Sequence, residues 1–252
     1  MARRSFRRNC SGQVIIVTAL LVAMILLTTA LYVIEVEKSV PTVDANSAGS
    51  FDAYLPALRS TLISALANAS AGGNSDILKS DLAQLKTAIL SHSYDALLTM
   101  DYSTKNSGGY TNGLNIAWGS SGSGVSEASA SFTFSSSSTT GKSDAAYTVE
   151  LSSRLQASGS YSEQNGTKQV NLTVNVLNDG SPALAERFGF SYQTSQGWVQ
   201  VDSLAIVDHG NGSYSISFTA ETGQTGEPLV VSAVIVDERG ISVGANLTCN
   251  PI

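Results

Sequence analysis

Three patterns of hydrophobic and polar residues succeed one another along the chain. The first is unbroken: the twenty-one residues from Val14 to Ile34 contain no charge and no proline. As a helix rising ~1.5 Å per residue they would reach ~31 Å, about the thickness of a bilayer's hydrocarbon core. The second is helical. Leu55, Leu58, Leu62, Leu66 and Ala69 recur at steps of three and four, as do Ile77, Leu78, Leu82, Leu85, Ile89 and Leu90. Between them Ala71-Gly72-Gly73-Asn74 reads as a stop, a turn and a cap. This predicts two antiparallel helices over roughly 44–70 and 75–98, with Pro41 ending the helix before them. Each carries one apolar stripe to bury, either inside its own chain or against another subunit.

The third pattern has period two. Ala128 to Phe134 alternates, and from about 145 the signal strengthens. Val170, Leu172, Val174 and Val176 alternate with Asn171, Thr173 and Asn175; Tyr214, Ile216 and Phe218 alternate with serines. Phe188, Phe190 and Tyr192 follow the same rule, and Trp198-Val199-Gln200-Val201 is read the same way, with Trp198 inward. The nearly continuous run Val230 to Val236 suits a central strand. At least seven short strands separated by turns predict a two-sheet sandwich at 128–252. Residues 101–127 are rich in glycine and serine, including Gly119-Ser-Ser-Gly-Ser-Gly124, and read as a connector. The hydroxyl tract Ser135 to Thr140 reads as a hairpin loop or an O-glycosylated stretch. The fold class expected is therefore α+β: an N-terminal transmembrane or stem helix at 13–38, a helical hairpin at 39–100, and an antiparallel sandwich.

Charge gives the first helix a direction. Arg3, Arg4, Arg7 and Arg8 precede it and Glu35 and Glu37 follow it, which places the N-terminus in the cytoplasm and the rest outside. A cleaved secretory signal is the rival reading; its apolar core is shorter, and here the best small-residue site, Thr28-Thr29-Ala30, lies inside the run. The formal net charge is −6 even with those four arginines counted. An acidic ectodomain carries no basic footprint for nucleic acid, so the partners expected are the lipid bilayer and a surface glycan or protein.

The two cysteines, Cys10 and Cys249, fall on opposite sides of that helix, which rules out a bond between them within one chain. Outside the membrane lie five Asn-x-Ser/Thr sequons, at Asn68, Asn165, Asn171, Asn211 and Asn246, each a candidate N-glycosylation site; Asn9 faces the cytoplasm. The two histidines, His92 and His209, bound any triad chemistry, and no metalloprotease, redox-dithiol, phosphate-loop or dinucleotide motif occurs. Asp179, Asp208, Asp237 and Glu238 sit in predicted turns, where acids are ordinarily solvated but would bind Ca²⁺ if they converged. The reading is of a protein that is not an enzyme, with no cofactor, metal or catalytic residue assigned.

Two resemblances refine this. The stretch Arg7-Arg8-Asn9-Cys10-Ser11-Gly12-Gln13-Val14-Ile15-Ile16-Val17 resembles the start of archaeal type IV pilin-like precursors. That resemblance implies cleavage of the leader (residues 1–12) between Gly12 and Gln13, and a homo-oligomer packed through the apolar helix. Val17 stands where such proteins often carry glutamate, and the arginine pair is not adjacent to Gly12. Asp208-His209-Gly210-Asn211-Gly212-Ser213-Tyr214 resembles the D-x-G-x-G-x-Y turn of filamin-type and bacterial surface immunoglobulin-like repeats, which implies a tyrosine tying down a corner and says nothing of activity. The expectation is a non-enzymatic cell-surface subunit of pilin type; the alternative is a monomeric membrane-anchored binding or adhesion module.

Overall fold

The first described helix, Leu55–Ser70, follows a short 3-10 turn at Phe51–Tyr54 and has Pro56 in its opening turn, where no amide partner is needed. It ends at Gly72, whose φ of +90° makes the left-handed reversal. The second helix is Ile77–Ser91. The computed structural model describes residues 51–92, 97–138, 141–223 and 225–252. The leader, the Gly12–Gln13 junction and the apolar helix at 13–38 lie outside these residues. Among the described residues no helix is long and apolar enough to cross a membrane.

Both helices bury their stripes within the chain. Leu58, Leu62, Leu66, Leu78 and Leu82 are fully buried against one face of a sheet. Its strands are β1 (Leu97–Thr104), β2 (Leu114–Trp118), β3 (Ser123–Ser138) and the first half of β4 (Gly141–Gln164). β3 lies antiparallel to β1 and β2 on one edge and to β4 on the other. Ala128, Ala130, Phe132 and Phe134 point into this core, and Phe51 and Tyr54 stack on Phe134 with ring centroids 5.4 and 5.5 Å apart.

At ~3.3 Å per residue, the 24 residues of β4 extend ~79 Å, too far for one small core. Its second half, Ser153–Gln164, leaves the helices and pairs with β5 (Thr167–Asn178). From there one layer runs β4-β5-β10-β9, with β10 at Ser213–Glu221 and β9 at Ala205–Asp208, and β6 (Ser181–Pro182) beside β5. The facing layer runs β8 (Gly197–Gln200), β7 (Ala185–Thr194), β11 (Leu229–Asp237), β12 (Ser242–Pro251). The layers meet where Asn250 and Pro251 pair in parallel with Ser160 and Tyr161. Between them Val170, Leu172, Val174, Tyr214, Ile216 and Val231 form a second core. β11 is its central strand, hydrogen-bonded to β7 and β12.

The β9–β10 corner is built as its sequence implied. Asp208 Oδ1 accepts from the Gly210 amide at 2.8 Å, and Gly210 and Gly212 take φ of +72° and +75°. A Cβ on Gly212 would sit 2.8 Å from the Val176 carbonyl oxygen. Tyr214 is buried, its Oη accepts from the Ala185 amide at 2.9 Å, and Phe188 meets its ring edge-on.

Four expectations change. Trp198 is not inward: it is 49% exposed, because β8 is a four-residue edge strand overhanging the core, with all four residues exposed. Leu97 and Leu98 begin a strand rather than end a helix. The stretch read as a connector holds the end of β1, β2 and the start of β3, and its glycines allow close approach: a Cβ on Gly124 would lie 1.8 Å from the Gly244 carbonyl oxygen. The sandwich layer correspondingly begins at Ser153, while 128–152 serves the helical core.

Contacts from the β11–β12 turn hold the two cores together. Ile241 is buried in the helical core, and the Ser242 amide donates to Ser70 Oγ at 2.9 Å. Fully buried Asp237 pairs with Arg239, which also reaches Asp179 and the Ser152 carbonyl. Arg59 of the first helix completes the network on Asp179.

Candidate functional site

On the face of the β2-β3-β4 sheet turned away from the helices, alternation brings polar side chains together. Asn115 of β2 lies directly opposite Glu127 of β3, and Arg154 of β4, opposite Val125, is Glu127's diagonal neighbour. Glu127 accepts from Arg154 Nη2 at 3.0 Å on one oxygen, and from Asn115 Nδ2 at 3.1 Å and Tyr110 Oη at 2.9 Å on the other. Lys105 sits 4.4 Å from the Tyr110 ring centroid and pairs with Glu150 at 3.6 Å.

The electrostatics follow from this packing. Burial opposes the charge on Glu127, but the hydrogen bonds from Asn115, Tyr110 and Arg154 and the guanidinium charge together outweigh it and hold the carboxyl below its ordinary range. Tyr110 moves the other way: burial, its hydrogen bond to Glu127 and the nearby negative charge push it up to about 12. At neutral pH the acid is ionised and the phenol protonated, so neither is poised to exchange protons. The network holds a shape rather than performing acid–base chemistry.

That shape is a shallow groove of ≈550 Å³ whose walls include Trp118, Gly119, Gly124, Glu127, Arg154 and Gln156. The Trp118 ring itself lies on the other face of the sheet, toward β12: its Nε1 donates to Ser126 Oγ at 3.2 Å, and that hydroxyl donates to the Ser242 carbonyl at 2.7 Å. Two other depressions differ in chemistry: one beside Asp101 and Asp144, and one on the uncharged Ser, Thr and Asn face around Asn171.

Because Glu127 has a folded pKa below its unfolded value of ~4.3, it stabilises the fold above that value and loses the contribution as pH falls through the folded pKa. Glu127→Gln is expected to destabilise the protein at pH 7 by ~1–3 kcal/mol, since an amide cannot accept all three donors. The gap between variant and wild type should narrow as pH drops from about 5 toward 3 in urea unfolding. A gap that is constant with pH would mean that Glu127 carries no ionisation-linked stability.

The residues singled out from sequence do not converge. Asn165 is exposed at the β4–β5 turn with φ +55°, Asn171 is exposed in mid-β5, and Asn211 is exposed with Oδ1 accepting from Ser213. Asn68 is exposed but its sequon hydroxyl, Ser70, is buried; Asn246 is half-buried in β12. Asp179 and Asp237 face arginines and Asp208 caps its own turn, and among the described residues no cluster of three potential metal ligands forms. His209 contacts Ser215, and His92 contacts the Ala88 carbonyl. Cys249 is fully buried, and burial pushes its thiol up to about 11. Trp118, Glu127 and Arg154 were not singled out in the sequence; the available signal was a tryptophan and an alternating Leu114-Asn115-Ile116 within a glycine-rich stretch. No protein-family model matches the chain, and no curated protein matches it in sequence.

Proposed function

We propose that this chain is a non-enzymatic cell-surface subunit of pilin type. In this reading the N-terminus is cytoplasmic, residues 13–38 form the apolar helix through which copies assemble, and the β-rich part faces the outside as an immunoglobulin-like sandwich. The observation that carries it is the sequence around Gly12-Gln13: a basic leader, a small residue, then Gln13 and the twenty-one uncharged residues from Val14 to Ile34. The sandwich topology with its tyrosine corner supports the immunoglobulin-like assignment as fold, not as activity. The groove beside Trp118 favours a second reading, a membrane-anchored binding module that keeps its leader.

The readings part at the mature N-terminus. Mass spectrometry of protein from its native membrane is expected to find Gln13 as the first residue. A mature chain retaining Arg3 to Arg8 would refute leader processing and favour the anchored module.

A further inference from the structure

We infer that the free edge of β9 is a self-association surface, on which a second copy of this chain pairs antiparallel and prolongs the β4-β5-β10-β9 layer. The contact uses the sandwich alone and is separate from assembly through residues 13–38.

The backbone sets the requirement. Among the described residues β9 has a neighbouring strand on one side only, β10. The His209 amide donates to the Ser213 carbonyl at 3.1 Å where the two strands join. Antiparallel strands alternate hydrogen-bonded and non-bonded pairs. Carried down the register from that bond, the alternation has Val207 and Ala205 exchanging hydrogen bonds with Ser215 and Ser217. The N–H and C=O groups of Ile206 and Asp208 therefore point off the edge of the sheet, where another extended chain can take them up.

The side chains leave that edge undefended. Natural edges are blunted by lysine, proline, a bulge or charge. Other free edges here follow the rule: β7 beyond its pairing with β8 carries exposed Glu186 and Arg187, and β1 carries Asp101 paired with Lys86. By contrast β9 reads Ala205-Ile206-Val207-Asp208, pairs with β10 without a register shift, and is exposed throughout. Ile206 and Val207 are 41% and 56% exposed. Asp208 is turned onto its own corner, where Oδ1 accepts from Gly210.

Charge and symmetry point to a second copy as the partner. At a formal net charge of −6, copies repel one another in general. On the outer face along this edge, however, Ala205, Val207, Ser215 and Ser217 give way to Asn171 and Thr173, none of them charged. A two-fold axis normal to the sheet keeps every side chain on its own face, so only residues of like alternation oppose. An axis at Val207 sets Val207 against its own copy and Ile206 against Asp208. The outward groups of both residues are then satisfied within β9 itself, and the valines lie ~4.5 Å apart at Cα. Four residues a side is far below the roughly 20–30 of a stable dimer. The pairing is thus weak between free copies and strengthens where copies are held side by side.

Disulfide trapping tests this on the full-length chain in detergent at about 0.5 mM, where millimolar contacts are populated. The background is C10S; Cys249 is buried and stays. Under copper-catalysed air oxidation V207C should form an intermolecular disulfide at least ~tenfold faster than S162C, an exposed site on β4 away from this edge. Adding I206P removes an outward amide and leaves the β9–β10 bonds in place. It should bring V207C down to the S162C rate at an unchanged unfolding midpoint, whereas I206A should not. Should I206P unfold, A205K, an edge lysine, is expected to slow the V207C cross-link severalfold. Equal rates for V207C and S162C would overturn the inference, as would a V207C rate indifferent to both I206P and A205K. Oligomers that sediment as such without the V207C cross-link would be held by the N-terminal helix; they would overturn the edge contact and leave the pilin reading standing.

Discussion

Tyr214→Ala is expected to destabilise the protein by ~3–5 kcal/mol, the range for removing a large buried aromatic side chain. Tyr214 is 2% exposed, packs edge-on with Phe188 at 5.0 Å, and receives the Ala185 amide. Its loss opens a cavity at the junction of both sandwich layers and strands a backbone donor. Tyr214→Phe separates the two effects: the ring stays, the acceptor goes, and the cost should fall to ~1–3 kcal/mol for an amide left without a partner. Trp198→Ala, at 49% exposure on an edge strand, should cost less than about 1 kcal/mol. Urea unfolding of the three variants checks the order. Equal losses for Tyr214→Ala and Trp198→Ala would show that the β9–β10 corner does not organise the core as described.

The same pair of aromatics shows what local sequence could and could not reveal. Strict alternation in Val170 to Val176 and in Tyr214 to Phe218 was enough to place those residues, because both strands have neighbours on each side and one face covered. Trp198 obeys the same local rule, yet its strand pairs only with β7 over four residues, and about half of its side chain stays open to solvent. Edge position is a property of topology, which a short stretch of sequence does not encode. The helices were legible for the opposite reason. Their stripes are continuous at steps of three and four, and the Gly72-Gly73 stop sits where the reversal occurs. The candidate groove was illegible because Tyr110, Glu127 and Arg154 come from three segments and meet only once β2, β3 and β4 are in register. Glycine and serine content, which usually marks flexible connectors, here marks close packing of backbone on backbone.

That last point yields the second large effect. Gly124→Ala is expected to cost ~3 kcal/mol or more, because the new methyl would lie 1.8 Å from the Gly244 carbonyl oxygen, and backbone cannot step aside as a flexible side chain would. Relief requires the β2–β3 corner to lift from β12, which would also pull the Trp118 ring off Gly244. Two controls isolate this clash from the ordinary consequences of changing a glycine. Gly166→Ala meets nothing within 4 Å but sits at φ +79°, so it should lose ~1–2 kcal/mol from backbone strain alone. Gly189→Ala has neither a positive φ nor a contact closer than 3.7 Å, and should be neutral or slightly stabilising through the unfolded chain. Chemical unfolding should therefore rank the variants Gly189→Ala, Gly166→Ala, Gly124→Ala in falling stability, with the fluorescence of Trp118 altered in the last alone. If Gly124→Ala unfolds at the midpoint of Gly189→Ala, the corner has room to spare and β2 is not clamped to β12. The glycine-rich stretch would then be the loose connector its composition first indicated.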